Sequence, residues 1–245
     1  MNKRAMNKGD KEEPMNADDH RTWDPVLPRM AAIFGLAASA LLILAVVFVS
    51  QITVSSDDLA GSVQDMAHHR FAAGASAWLF ALALIGLVPF FLGLAATLGQ
   101  RGSRLGWIGA ALLIAFAVMN APANLAPFVV AHHLAAGINA GDPVAQAVAE
   151  GMVGLFLVVD MMAHVVFGIG ALLTARAMAA DGRFPRWLPP VAAIAGILMI
   201  LFALSLAVPA LDLAIALGSA FTLLWIIASS LWLLGLMRAV APAGR

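Results

Sequence analysis

Uncharged apolar runs of about 20 residues recur along this chain of 245 residues, and no other feature constrains its fold as tightly. Each run is long enough to cross a hydrocarbon core of roughly 30 Å at about 1.5 Å per helical residue. Lipid offers the backbone no hydrogen-bond partners, so only helices and closed barrels can span it. Barrels are written as short alternating segments, which these runs are not. The chain is 62% hydrophobic and 11% charged, where a soluble domain is about half apolar and a quarter charged. The reading is an all-α polytopic transmembrane bundle of six helices, with spans at about 30–50, 71–98, 106–131, 150–175, 188–208 and 213–237. Residues 1–28 read as a disordered cytoplasmic tail, 29–238 as the transmembrane domain and 239–245 as a second cytoplasmic tail.

Loop charge sets the expected orientation. With the N-terminus inside, 13 of the 14 Lys and Arg fall on the cytoplasmic side, and only Arg70 lies outside. The external loops carry Asp57, Asp58, Asp65, Asp142, Glu150 and Asp212. This asymmetry predicts both termini in the cytoplasm. Trp107 and Trp187 stand where an inner aromatic belt would be. The formal net charge of zero removes any case for a nucleic-acid partner, which leaves the lipid bilayer as the partner that composition implies.

Loop chemistry predicts further local structure. "SSDDLAGSVQDMAHH" offers Ser55 or Ser56 as an N-cap and Leu59, Val63 and Met66 at helical spacing, so a short amphipathic external helix is expected between spans 1 and 2. "GINAGDP" predicts a turn, with Pro143 near the start of the next helix. "DGRFPRWLPP" predicts the inner turn between spans 4 and 5, with Arg183 and Arg186 placed to meet lipid phosphates.

Ionisable residues inside spans are costly and therefore informative. There are two, Asp160 and His164 in "VVDMMAHVVFG", and their i,i+4 spacing stacks them on one helix face. Counted from an entry near residue 152, they lie about 12 and 18 Å deep. Span 3 carries Asn120 and Asn124 at the same spacing, at about 15 and 9 Å. Pro122 and Pro127 interrupt that stretch and should free the carbonyls of Val118 and Ala123. Asp160, His164, Asn120 and Asn124 are the candidate binding-pocket residues, with Ser76 of span 2 as a shallower hydroxyl. The same groups could instead clamp two helices together without lining a pocket.

Two histidine pairs, His68–His69 and His132–His133, close "AHH" stretches at the outer ends of spans 2 and 3. The short inner connection near "GQRGSRLG" makes those spans antiparallel neighbours, so the pairs should lie at one height. Adjacent helical residues diverge by about 100°, so each pair offers at most one ligand, while a catalytic zinc usually takes three protein ligands. Zinc or bis-histidine haem at these pairs is the lesser reading, interfacial histidines the greater, and no cofactor is predicted. The chain has no cysteine, which excludes thiolate nucleophiles and iron–sulfur ligation. It also lacks a phosphate-cradling glycine loop, a Gly-x-Ser-x-Gly and a His-Glu-x-x-His. Ser229 and Ser230 in span 6 are expected to bond back to their own helix.

The segment "HVVFGIGALLTARAMAADGRFPRWLPPVAAIAGILMI" resembles a bacterial six-span membrane family catalogued as domain of unknown function 4386, on Gly182, Phe184, Pro185, Arg186, Leu188, Ala195 and Gly196. Trp78 and a final span ending near Gly235 agree with it, while Pro189 stands where that family usually has glycine. The resemblance implies a multi-pass protein of the bacterial cytoplasmic (inner) membrane and carries over no catalytic residues. The expected function is binding or movement of a small solute or ion through an outward-facing pocket between spans 3 and 4. The alternatives are an intramembrane metal-dependent hydrolase using Asp160 and His164, or a non-catalytic structural or partner-binding subunit.

Overall fold

The computed structural model describes residues 26–55, 57–204 and 213–240, and among these every regular element is helical. Helix α1, Val26–Val49, begins inside the stretch expected to be a tail. The amphipathic α2, Leu59–His68, follows and buries Val63 and Met66. Its N-cap is Asp58, whose carboxylate accepts from the Gly61 amide at 2.8 Å. Ser55 does not cap: its hydroxyl accepts from the Asp57 amide at 3.2 Å, and Ser56 lies outside the described residues. Asp58 wins because it stands three residues before Gly61, where a short carboxylate reaches an unpaired first-turn amide.

Helix α3, Arg70–Thr97, turns through Leu98 and Gly99 into α4, Gln100–Ala123. Pro122 is accommodated in the last turn of α4, and the helix breaks at Asn124 and Leu125. The chain continues as α5, Ala126–Val129, a π-helical turn, Val130–Leu134, and α6, Ala135–Asn139. Helix α7, Pro143–Asp181, is capped by Asp142 and closed by Gly182, whose φ of 74° suits a left-handed C-terminal position. Helices α8, Leu188–Ala203, and α9, Leu213–Val240, complete the chain. Helix α9 thus includes residues 239 and 240, and residues 241–245 of the expected tail lie outside the described residues.

Among the described residues five helical stretches are long and apolar enough to cross a membrane: Val26–Val49, Arg70–Thr97, Gly102–Asn139, Pro143–Asp181 and Leu213–Gly235. The expected fifth span is the shorter apolar α8, 16 residues long; residues 205–212, which the expected span partly included, lie outside the described residues. Two of these helical stretches run past the expected span limits. The third runs over Gly102–Asn139, not 106–131, and the fourth over Pro143–Asp181, not 150–175. Lipid does not end a helix; chain chemistry does. The stop comes at Gly141, at φ 75°, followed by Asp142 and Pro143. At 39 residues, α7 is about 58 Å long, almost twice a bilayer core. Asp160 lies about 26 Å along it and His164 about 32 Å, so the cluster is central to the helix.

The long helices form a closed ring. Successive long helices pack side by side in the order α1, α3, α4, α7, α8, α9, and α9 returns to α1. Small residues set the seams: a Cβ on Gly102 would lie 2.6 Å from the Ala177 carbonyl, and one on Gly196 2.7 Å from the Gly168 carbonyl. Such close approach gives van der Waals packing where lipid supplies no hydrophobic drive between helices. Phe90, Phe91, Phe167, Leu113 and Trp225 fill the ring's middle, each buried. A second, smaller core at one end joins Val63 and Met66 of α2 to Val130, Ala131 and Ile138, and to Ala149 and Val153 of α7.

The opposite end is fastened by the "DGRFPRW" turn. Asp181 accepts from the Gly99 amide and from Arg183 Nε at 2.7 Å, while Arg183 Nη2 also donates to the Thr97 carbonyl. Arg183 thus ties two turns together. Phe184 is buried in a stack on Trp232, ring centroids 4.1 Å apart. Arg186 and Trp187 remain exposed.

Candidate functional site

The break after α4 and the uninterrupted α7 bring four polar side chains together. Asn120 Nδ2 donates to Asp160 Oδ1 at 2.8 Å. Asn124 Nδ2 donates to Asn120 Oδ1 at 3.0 Å and to the Asn120 carbonyl at 2.9 Å. Asn124 sits where the helix ends, and the i,i+4 spacing turns its amide back onto Asn120. The relay therefore runs from Asn124 through Asn120 to Asp160, crossing between α4 and α7 once.

His164 is anchored to the same carboxylate-bearing turn. Its Nδ1 lies 2.7 Å from the Asp160 carbonyl and 3.4 Å from Asp160 Oδ1. A carbonyl oxygen can only accept, so Nδ1 carries the hydrogen and the neutral ring keeps its lone pair on Nε2. Phe116 of α4 meets the imidazole edge-on at 5.6 Å, and Phe202 of α8 meets it at 5.1 Å and 89°. The side chains of His164 and Asp160 are 10% and 17% exposed. The arrangement is a carboxylate and an imidazole on one helix, with an amide relay on one flank and aromatic rings on another. Such a site can hold a small polar or cationic group against Asp160, or take a proton at Nε2.

Ser76 is not joined to this cluster. It is buried, and its hydroxyl donates to the Ala73 carbonyl of its own helix at 3.1 Å. A serine within a helix is easily satisfied by the carbonyl three residues back, which removes any need for a partner across the bundle.

The "AHH" stretches do meet, through their neighbours. Arg70 Nε donates to the Ala131 carbonyl at 2.7 Å, inside the π-helical turn. The His132 ring lies over Gly74, where a Cβ would be 2.6 Å from Nε2, and it packs on Phe128 at 4.6 Å. His68 and His69 bond to carbonyls of their own helix, Gln64 and Asp65, and His69 also pairs with the Asp65 carboxylate at 3.0 Å. Among the described residues no three His, Asp or Glu side chains gather as metal ligands, at the pairs or at Asp160 and His164.

Asp65 lies outside the long helices, in α2, and holds the segment between α1 and α2 by accepting from the Thr53 amide. Its carboxyl is kept below the usual range chiefly by the Thr53 amide that donates to it; partial burial opposes this, and His69 adds to it.

Sequence reading missed the aromatic flanks Phe116 and Phe202, the π-helical turn and the role of Arg70. Phe116 had a signal, since it stands one turn before Asn120 on the same face. Phe202 had none, because α8 is polar nowhere near it. Ser229 and Ser230 also differ from expectation: neither hydroxyl finds a hydrogen-bond partner, on its own helix or elsewhere among the described residues. Comparison with protein-family models, with curated proteins and with solved structures found no match for this chain.

Proposed function

We propose that this chain is a membrane protein that binds or moves a small solute or ion through an outward-facing polar pocket between α4 and α7. The reading rests on one observation: an ionisable pair, Asp160 and His164, set at mid-helix in an apolar bundle and still partly exposed. Charged groups there are costly and usually serve a ligand or an ion. The proposal includes six crossings, both termini in the cytoplasm, and the bacterial cytoplasmic membrane. Helix α8, about 24 Å long, is taken as a crossing because it packs antiparallel along both α7 and α9. Gly196 and Phe202 face Gly168 and His164, while Leu198 and Met199 face Gly218. Membership of the family catalogued as domain of unknown function 4386 belongs to the same proposal.

The Asn120–Asp160 hydrogen bond favours a second reading, a helix clamp with no ligand. Asp160→Asn separates the two. Asparagine keeps an oxygen that accepts from Asn120 and loses only the charge, so a clamp survives and a charged pocket does not. Thermal-shift screening of purified protein against Na⁺, K⁺, small amines and small carboxylic acids supplies the assay. The pocket reading expects a stabilising ligand whose effect vanishes in Asp160→Asn at unchanged basal stability. A ligand response that is the same in both proteins defeats it.

A further inference from the structure

Four side-chain polar atoms are buried without a hydrogen-bond partner among the described residues: Thr222 Oγ1, Trp225 Nε1, Ser229 Oγ and Ser230 Oγ. All four belong to α9, and the residues are 8%, 0%, 0% and 0% exposed. At 100° per residue they fall within an arc of about 140° and over about 12 Å of helix. That arc is turned into the ring. Trp225 meets the rings of Phe90, Phe91 and Phe167, and a Cβ on Gly35 of α1 would overlap the Ser230 hydroxyl.

Buried groups of this kind are normally satisfied by water, which makes about three hydrogen bonds in such places. The donor set suits water: three hydroxyls that donate and accept, one indole that donates, and no charge to hold an ion. The column also adjoins the Asp160 cluster. Helices α7 and α9 run parallel, both antiparallel to α8, and touch through Phe167 and Trp225 at 6.4 Å. One turn back from that contact on each helix stand His164 and Thr222.

We infer that the inward face of α9 holds a column of internal waters, and that the species passed from Asp160 and His164 into it is the proton. The inference deepens the pocket reading and rests on it for the outer end. His164 Nδ1 keeps its hydrogen on the Asp160 carbonyl. A proton from the outer side adds to Nε2, and the imidazolium stands beside the Asp160 carboxylate, with Phe116 and Phe202 on its other sides. The Nε2–H then passes to a water lone pair beside Thr222, which restores the neutral ring; the excess proton hops between the waters along Trp225, Ser229 and Ser230 and leaves to bulk water beyond Ser230.

The test uses the full chain in liposomes with an entrapped pH-sensitive dye, driven by a K⁺ diffusion potential. Wild-type protein is expected to acidify the lumen faster than empty vesicles do, and the Thr222→Val, Ser229→Ala, Ser230→Ala triple variant at least tenfold more slowly than wild type. Equal rates in wild type and triple variant overturn the inference. A stability measurement guards against a misfolded variant: a dry column predicts that removing three unsatisfied hydroxyls raises the Tm, a hydrated one predicts no rise. Hydroxyl-radical footprinting of the unaltered protein should oxidise buried Trp225 through its bound water; protection of Trp225 beside labelled, exposed Trp107 overturns the inference. If wild type carries no protons while Asp160→Asn still abolishes a solute response, the proton column fails and the pocket stands. If proton flux survives Asp160→Asn and is lost in the triple variant, the pocket fails and the column stands.

Discussion

The seam between α7 and α8 can be tested by one substitution made at two places on the same helix. A Cβ on Gly168 would lie 2.6 Å from the Gly196 carbonyl and would also overlap Ile200, whereas a Cβ on Gly151 meets nothing within 4 Å. Replacing a mid-helix glycine by alanine ordinarily gains about 0.5–1 kcal/mol, because less backbone entropy is lost. Gly151→Ala should show that gain. At Gly168 the obstruction is backbone, which no side-chain rotation relieves, so the helices must separate by more than half an ångström. Overpacking of this kind costs about 1–3 kcal/mol, which outweighs the entropy gain. The two variants should therefore differ by about 2 kcal/mol with opposite signs. Reversible unfolding of the purified protein in mixed micelles measures both. Because Ile200 and Phe202 both pack on α7, against Gly168 and His164, Gly168→Ala should also loosen the aromatic wall of His164, visible as a shifted imidazole resonance. Equal stability of the two variants would refute the close crossing of α7 and α8.

The remaining expectations are briefer. Asp181→Ala leaves the Gly99 amide and the Arg183 guanidinium without their shared acceptor and should cost about 2 kcal/mol, discounted for the partly exposed arginine; chemical unfolding checks it, and a neutral result shows that Asp181 does not fasten this end. The lowered Asp65 carboxyl contributes stability that is complete above the unfolded pKa of about 3.9 and is lost as pH falls through its lower folded value. Amide exchange at Thr53, corrected for its intrinsic rate, should accordingly accelerate in acid below about pH 4, and Asp65→Ala, which removes the acceptor, should reproduce the acceleration at neutral pH. Arg70→Ala strands the Ala131 carbonyl in the π-helical turn, so proteolysis near residues 130–140 should increase; an unchanged cleavage pattern would show that Arg70 is not needed there.

Much of the architecture was legible because lipid imposes a coarse rule. Apolar length gave the long helices, and "GINAGDP" marked a true turn, since Asp142 caps and Pro143 can start a helix but not continue one. Helix ends elsewhere were less legible. Helical structure continues through α6 to Asn139 and starts in α7 at Pro143, past the expected span limits, and hydropathy alone does not mark where a helix ends. The candidate cluster was half legible. Asp160 and His164 stand out by charge, and Asn120 by its matching spacing. Ser76 has the same polar signature, yet its own helix satisfies it.

Composition and periodicity by themselves determined an all-helical, lipid-compatible chain with an ionisable pair on one face, because these properties depend on local sequence and solvent preference. Which groups meet was decided by the ring. Asn120 reaches Asp160 only because α4 and α7 pack through glycines, Phe202 flanks His164 only because α8 folds back along α7, and Thr222, Trp225, Ser229 and Ser230 become one buried column only because α9 turns that face inward. Helix rotation about its own axis costs almost nothing in an apolar sequence with weak amphipathicity. Packing against neighbours therefore fixes it, and that information lies between helices, not within any one of them.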